Sequence, residues 1–219
     1  MMHSIAWLAS RVARMAAAAA LLALPACVSG LNSKIPPQQR YVLQGAPAPA
    51  QSAEPSAEPA AAALSTASVQ VLRPSAAPGL GQDGIAVMRT GQRLDFYTDA
   101  RWASGAPAMM QALVIDSLRH AGRFAAVESD AEPFASRYVL SLELQHFEAV
   151  YDNAGPPIIR VALVGTLGRR SERVVLASFA AHSEVRADAD RMQAVIAAFD
   201  QATAQTLAQL AANIAPLAD

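Results

Sequence analysis

Residues 85–124 read IAVMRTGQRLDFYTDARWASGAPAMMQALVIDSLRHAGRF, and their hydrophobic period changes half-way. Ile85-Ala-Val-Met88 and Arg93-Leu-Asp-Phe-Tyr97 are short β-type runs, separated by Thr90-Gly91-Gln92. That spacing predicts a hairpin. From Asp99 onward the period becomes helical. Met109, Leu113, Leu118 and Phe124 mark one side, and Met110, Val114 and Ile115 widen it. Ser104 or a neighbour is the expected N-cap, Pro107 suits the first turn, and Gly122 suits the end. A hairpin feeding directly into an amphipathic helix points to an α+β domain.

The flanks repeat the theme. Val69–Arg73 alternates as a strand, and the Pro- and Gly-rich PSAAPGLGQDG, 74–84, reads as a turn cluster. After Val127, Tyr138, Leu140, Leu142 and Leu144 alternate with Val139, Ser141, Glu143 and Gln145, and Ile159, Val161, Leu163 and Leu167 form the next alternation. Val174 to Val185 supplies a third strand, and short polar turns join all three. Strands so connected form an antiparallel meander. From Asp188 to about Ala215, apolar residues including Met192, Val195, Ile196, Phe199, Leu207, Leu210 and Ile214 recur at three- and four-residue steps. Its polar face carries Gln, Asp and Asn rather than Lys and Arg, so it reads as a domain helix and not a membrane-surface one. The order is strands, helix, strands, helix. The expectation is an α+β fold: an antiparallel sheet, a mixed one being the alternative, with two helices on one face to hide each apolar side. Strand order is not readable.

The N-terminus follows different rules. Arg11 and Arg14 precede an uncharged Ala/Leu run, Met15 to Leu24, and no acid occurs before Cys27. A basic start, a short apolar core and small residues make a secretory signal peptide. The run is shorter than the roughly 20 residues that span a bilayer. Leu24-Pro25-Ala26-Cys27 looks like a bacterial lipobox, with an aliphatic residue three before the cysteine and a small one immediately before it. That likeness implies cleavage after Ala26, a diacylglyceryl group on the Cys27 thiol and acylation of its new amine. Cys27 is the only cysteine, so it has no disulfide partner, and the polar VSGLNSKIPPQQ that follows offers no core for a structural thiol. Val28, where an aspartate would favour inner-membrane retention, leans toward the outer membrane.

These features divide the chain into a cleaved signal (1–26), a lipidated tether (27–39), a short strand (40–44), an Ala/Pro-rich linker or loop (45–68) and one α+β domain (69–216). Residues 45–68 are Pro, Ala, Ser and Glu with almost no bulky apolar side chain, too little to offset the entropy of ordering. The whole chain has 17 basic and 18 acidic residues. Losing Arg11 and Arg14 with the signal makes the balance slightly more acidic. Nucleic acid requires a basic face, so it is not an expected partner.

The search for chemistry finds weak signals. GLGQDG, 79–84, matches G-x-G-x-x-G, but a strand rather than a helix follows it, so no helix N-terminus is placed to hold a pyrophosphate. No G-x-S-x-G elbow occurs. His146 with Glu148, and His182 with Glu184, share strand faces by i, i+2 spacing. Zinc is conceivable if those strands are neighbours, but no cysteine partner or HExxH helix supports it; partly exposed strand histidines are the plainer reading. Asp95 with Asp99 and Asp188 with Asp190 sit at a hairpin end and a helix start, and neither pair requires catalysis. Trp102, at a strand–helix junction, reads as core rather than a recognition anchor. No catalytic residue, metal or cofactor is expected.

Together, LPAC at 24–27, RYVL at 40–43, IAVMRTGQRLDFYTDARWA at 85–103 and PAMMQALVIDSLRHAGRF at 107–124 resemble the ABC-type transport auxiliary lipoproteins, which include the paraquat-inducible protein C group. The likeness runs from Arg40 to Pro216, interrupted by the linker. It implies a non-enzymatic docking component of lipid traffic across a Gram-negative envelope, anchored at the outer membrane and partnered by a mammalian-cell-entry (MCE) domain protein with its ABC permease and ATPase. A homo-oligomer is compatible with it. Two other classes stay open: a structural assembly lipoprotein of another outer-membrane machine, and a zinc hydrolase using His146 and His182.

Overall fold

A computed structural model describes residues 38–45, 65–90, 92–152 and 154–214. Among these residues nine strands form one sheet, and its organising member is β7 (Tyr138–Val150). Along one edge of β7, three strands lie end to end. They are β2 (Ser65–Val71) beside Tyr138–Leu140, β3 (Ser75–Ala76) beside Glu143–Leu144, and β4 (Gly84–Arg89) beside Glu148–Val150. All three run parallel to β7. The expected antiparallel sheet is therefore corrected to a mixed one. The reason lies in the 74–84 cluster: its prolines and glycines interrupt the strand without reversing it, so the chain keeps one direction from Ser65 to Arg89.

The reversal comes between β4 and the next strand, where Gln92 takes a left-handed φ of 61°. There β4 meets β5 (Arg93–Trp102) in the antiparallel hairpin read from the sequence. Beyond β5 the edge is filled by β1 (Gln39–Tyr41), parallel to it. Leu43 is buried in the core, and the amides of Gln44 and Gly45 both donate to Asp200 Oδ1 at 2.8 and 3.1 Å. The early strand is thus part of the domain. Most of the Ala/Pro-rich segment, residues 46–64, lies outside the described residues, and β2 begins at Ser65, ahead of the expected Val69.

Helix α1 (Ala106–Ala121) buries Met109, Met110, Leu113, Val114, Ile115 and Leu118. Each such side chain contributes about 1.5–3 kcal/mol when fully removed from water. The N-cap is Gly105, the neighbour of Ser104, and no side chain among the described residues caps the helix; the Ala106 N–H donates instead to Gln82 O at 3.2 Å. Gly122 ends it with φ 64°, a left-handed conformation that glycine adopts without a Cβ penalty. Phe124 does not extend the helix stripe. It opens β6 (Phe124–Ser129), a parallel edge strand on β2 that the sequence reading passed over.

On the other edge of β7 lies the expected meander: β8 (Ile158–Arg169) and β9 (Val174–Arg186), each antiparallel to its neighbour. Helix α2 (Met192–Ile214) packs on β8 and β9, and α1 packs on β6 and β2. The two helices also touch each other, and their apolar sides join one core. At its centre Trp102, Phe147 and Phe199 bring β5, β7 and α2 together, with ring centroids 5.1–5.3 Å apart.

Asp152 follows β7 and is bonded by Arg186 Nη2 at 2.7 Å. That bond first, then the Ala154 N–H, holds its carboxyl at about 2, below its ordinary 3.8. The folded form stays ionised where the unfolded chain takes up a proton. Stability from this pair is therefore present above about pH 4 and lost as pH falls toward 2. Asp152→Asn is expected to flatten the acid limb of a thermal-melt series over that window. An unchanged limb would show that the pair does not couple to folding.

Candidate functional site

Cys27 and the cleavage site after Ala26 lie outside the described residues. Within them, the feature that gathers the polar residues singled out above is the face of β7–β8–β9 turned away from the helices.

Its geometry depends on one irregularity. Tyr138, Leu140, Leu142 and Leu144 are buried, and strict alternation would send His146 and Glu148 inward after them. A bulge intervenes: Leu144 pairs with Leu163, but His146 pairs with Ala162, so Gln145 is an extra residue. A β-bulge re-aims the side chains beyond it. Phe147 and Ala149 then take the buried positions, and His146 turns to the open face.

The register builds two rows across the strands. Glu148, Arg160 and Glu184 form one. His146, Ala162 and His182 form the other. Arg160 Nε donates to Glu184 Oε1 at 2.8 Å. His146 Nδ1 is 2.7 Å from Glu148 Oε1. The Glu148 side chain is only 4% exposed, and its other oxygen accepts the Phe147 N–H at 2.6 Å. The rows border a cleft of about 270 Å³, also lined by Val164 and Ala180. So the structure brings together the two His–Glu pairs that the sequence could only place on separate strands. No group of three or more His, Cys, Asp or Glu among the described residues is arranged to hold a metal.

The other candidates resolve into structural roles. GLGQDG is the loop from β3 to β4. Its Asp83 pairs with Arg101 at 3.2 Å and Arg40 at 3.6 Å, and its Gln82 carbonyl takes the first N–H of α1. A backbone oxygen thus stands where a phosphate would need to sit. Trp102 is wholly buried, as expected of core. Asp95 pairs with Arg93 at 2.8 Å and Arg89 at 3.4 Å. His120 is exposed near the end of α1, its Nδ1 2.9 Å from Asp116 O.

Two features had no sequence signal. One is a chain of hydrogen bonds, Tyr97 to Tyr151 at 2.9 Å and Tyr151 Oη to Asp190 Oδ1 at 2.6 Å. It ties β5, the end of β7 and the approach to α2. Burial, more than any other cause, pushes both phenols above their ordinary value. The partners are too far apart in sequence for any spacing rule to join them. The other is a groove of about 580 Å³ between the last turns of α1 and α2, lined by Ser117, Ala121, Ala204 and Ala208 among others.

An α+β domain of one mixed sheet, with two helices on a single face, is therefore the class this chain defines. The family model for the ABC-type transport auxiliary lipoprotein component matches residues 41–214. The chain belongs to that family, as its motifs suggested. Among solved structures it is similar to protein XCC0632 of Xanthomonas campestris, a DUF330-family protein. That match has 28% identity and a TM-score of 0.63, and covers 69% of this chain and 85% of that one. A second, uncharacterized protein is 16% identical with a TM-score of 0.58, covering 69% and 94%. Hypothetical protein CT253 of Chlamydia trachomatis shares the fold at 6% identity, with a TM-score of 0.50 and coverage of 70% and 98%. No curated protein matches.

Proposed function

We propose that this chain is a lipid-anchored periplasmic docking component of an ABC transport system that moves lipids across a Gram-negative envelope. The observation that carries the reading is the family match, which spans the domain from Tyr41 to Ile214. The lipid on Cys27 would hold the domain at the inner face of the outer membrane, and the domain would receive the end of an MCE-domain protein linked to its permease and ATPase. In this reading it performs no chemistry of its own. Supporting it, features that first looked chemical, such as GLGQDG, Asp95 and Asp190, have structural partners.

Affinity capture tests it. Full-length lipoprotein, extracted in mild detergent from envelopes, is expected to bring down an MCE-domain protein and the ABC permease, identified by mass spectrometry. Clean recovery of an unrelated outer-membrane assembly instead would overturn the reading and favour the structural-assembly class.

A further inference from the structure

We propose that the open face of β7–β8–β9 binds one divalent transition-metal ion between the imidazoles of His146 and His182.

Four observations converge on it. The first is register. His146 and His182 flank Ala162 across β8, one strand to either side. Strands lie 4.7–4.9 Å apart, so the two Cα atoms are roughly 10 Å apart. Two imidazole arms with two metal–nitrogen bonds of about 2.0–2.1 Å span such a gap. The side chain between them is a methyl group, which leaves the space free.

The second is the bulge at Gln145. Without it His146 would face the core beside Leu144. Bulges are over-represented at sheet edges, at barrel rims and next to active sites, where they re-aim a side chain, and this one puts His146 on the same open face as His182.

The third is Glu148. It is nearly buried, is fixed by the Phe147 N–H, and meets His146 Nδ1 at 2.7 Å. When that nitrogen donates its proton to the carboxylate, Nε2 becomes the lone-pair nitrogen. Ligating histidines are held in this way, and the carboxylate makes them better donors. His182 needs no such release: its ring makes no hydrogen bond or ion pair among the described residues, and it is exposed.

The fourth is charge. The adjacent row sets two carboxylates, Glu148 and Glu184, against one guanidinium, Arg160. Glu148 lies beneath His146 rather than in the cleft wall, but the net negative balance of the row favours a cation over an anion beside the histidines. Imidazole donors select zinc, copper or nickel, whereas magnesium and calcium require mostly oxygen ligands. Water fills the remaining positions of a two-histidine site.

The test uses the full lipidated chain in detergent micelles, produced without a histidine tag, stripped with chelator and titrated with Zn²⁺ or Cu²⁺ alone by calorimetry. One saturable equivalent per chain is expected. His146→Gln and His182→Gln should each weaken it tenfold or more, and Ala162→Leu should do the same by filling the gap while leaving both imidazoles. His120→Gln serves as the control and should leave it unchanged. Thermal midpoints of all four variants report whether each folds. His182 is exposed on its strand, so its variant decides the matter if His146→Gln unfolds. The proposal is overturned if neither ion gives a saturable equivalent, or if His182→Gln binds with less than a tenfold loss.

Discussion

Serine in place of Cys27 is expected to move the protein from the membrane pellet to the soluble periplasmic fraction, with the domain still folded. Each buried methylene contributes about 0.8 kcal/mol to membrane attachment, and two or three acyl chains anchor stably where one gives only marginal, reversible binding. No helix among the described residues is long and apolar enough to cross a membrane. The uncleaved signal could confuse the result, since lipobox processing itself depends on the thiol. The substitution is therefore best made behind a signal that ends in a small-x-small site, so that cleavage proceeds without Cys27. Nearly all of the variant should remain in the supernatant after ultracentrifugation, and it should take up no labelled palmitate. A variant that still pellets with the outer membrane, at parental levels, would show that something other than lipid holds it there.

Legibility in the sequence followed the range of each interaction. Within β4, β5 and α1 the period of apolar residues is set by neighbours two to four positions away, two in a strand and three or four in a helix, and Met109, Leu113 and Leu118 are buried as their spacing predicts. The meander of β7, β8 and β9 was equally plain, because short polar turns leave adjacent strands little choice but to pair antiparallel. The parallel stacking of β2, β3 and β4 along β7 was not legible. Its cause is the failure of Pro74 and Pro78 to reverse the chain, and a proline-rich break reads alike whether the chain turns back or goes straight on. Phe124 misled for a related reason: two residues past Gly122, it continues the helix stripe in sequence while standing in a strand in space.

The candidate site shows the same limit more sharply. His146 with Glu148 and His182 with Glu184 were visible as pairs, since i, i+2 spacing fixes a shared face. Which face, and which pair lies opposite which, depends on Gln145 being an extra residue and on Ala162 standing between the histidines. A bulge carries no residue pattern that alternation can detect. Cys27 is a different case: it lies outside the described residues, and the processing expected there rests on local sequence alone, independent of any fold.

Trp102→Ala is expected to cost about 3–5 kcal/mol of folding stability, the range for deleting a buried large aromatic. The indole is fully buried and touches Phe147 and Phe199, so its loss opens a cavity where β5, β7 and α2 meet. Aromatic pairs of this kind add about 0.5–1.5 kcal/mol beyond area burial. For a domain with a total of about 5–15 kcal/mol, such a loss consumes a large share. At about 2–4 °C per kcal/mol for a chain of this size, the melting midpoint should fall by roughly 6–20 °C. Urea denaturation followed by far-ultraviolet circular dichroism measures it. Fluorescence is unsuitable, since Trp102 is the only tryptophan left once residues 1–26 are removed. Trp102→Phe separates two contributions. Its Nε1 is buried without a hydrogen-bond partner among the described residues, so phenylalanine removes an unsatisfied donor while retaining an aromatic ring. The Phe variant should therefore lose about half as much as the Ala variant. A Phe cost equal to the Ala cost would mean that the indole N–H is satisfied in solution, by a buried water for example. A cost below about 1 kcal/mol for Ala would mean that the site collapses freely and that the three-ring contact is not the centre of the core.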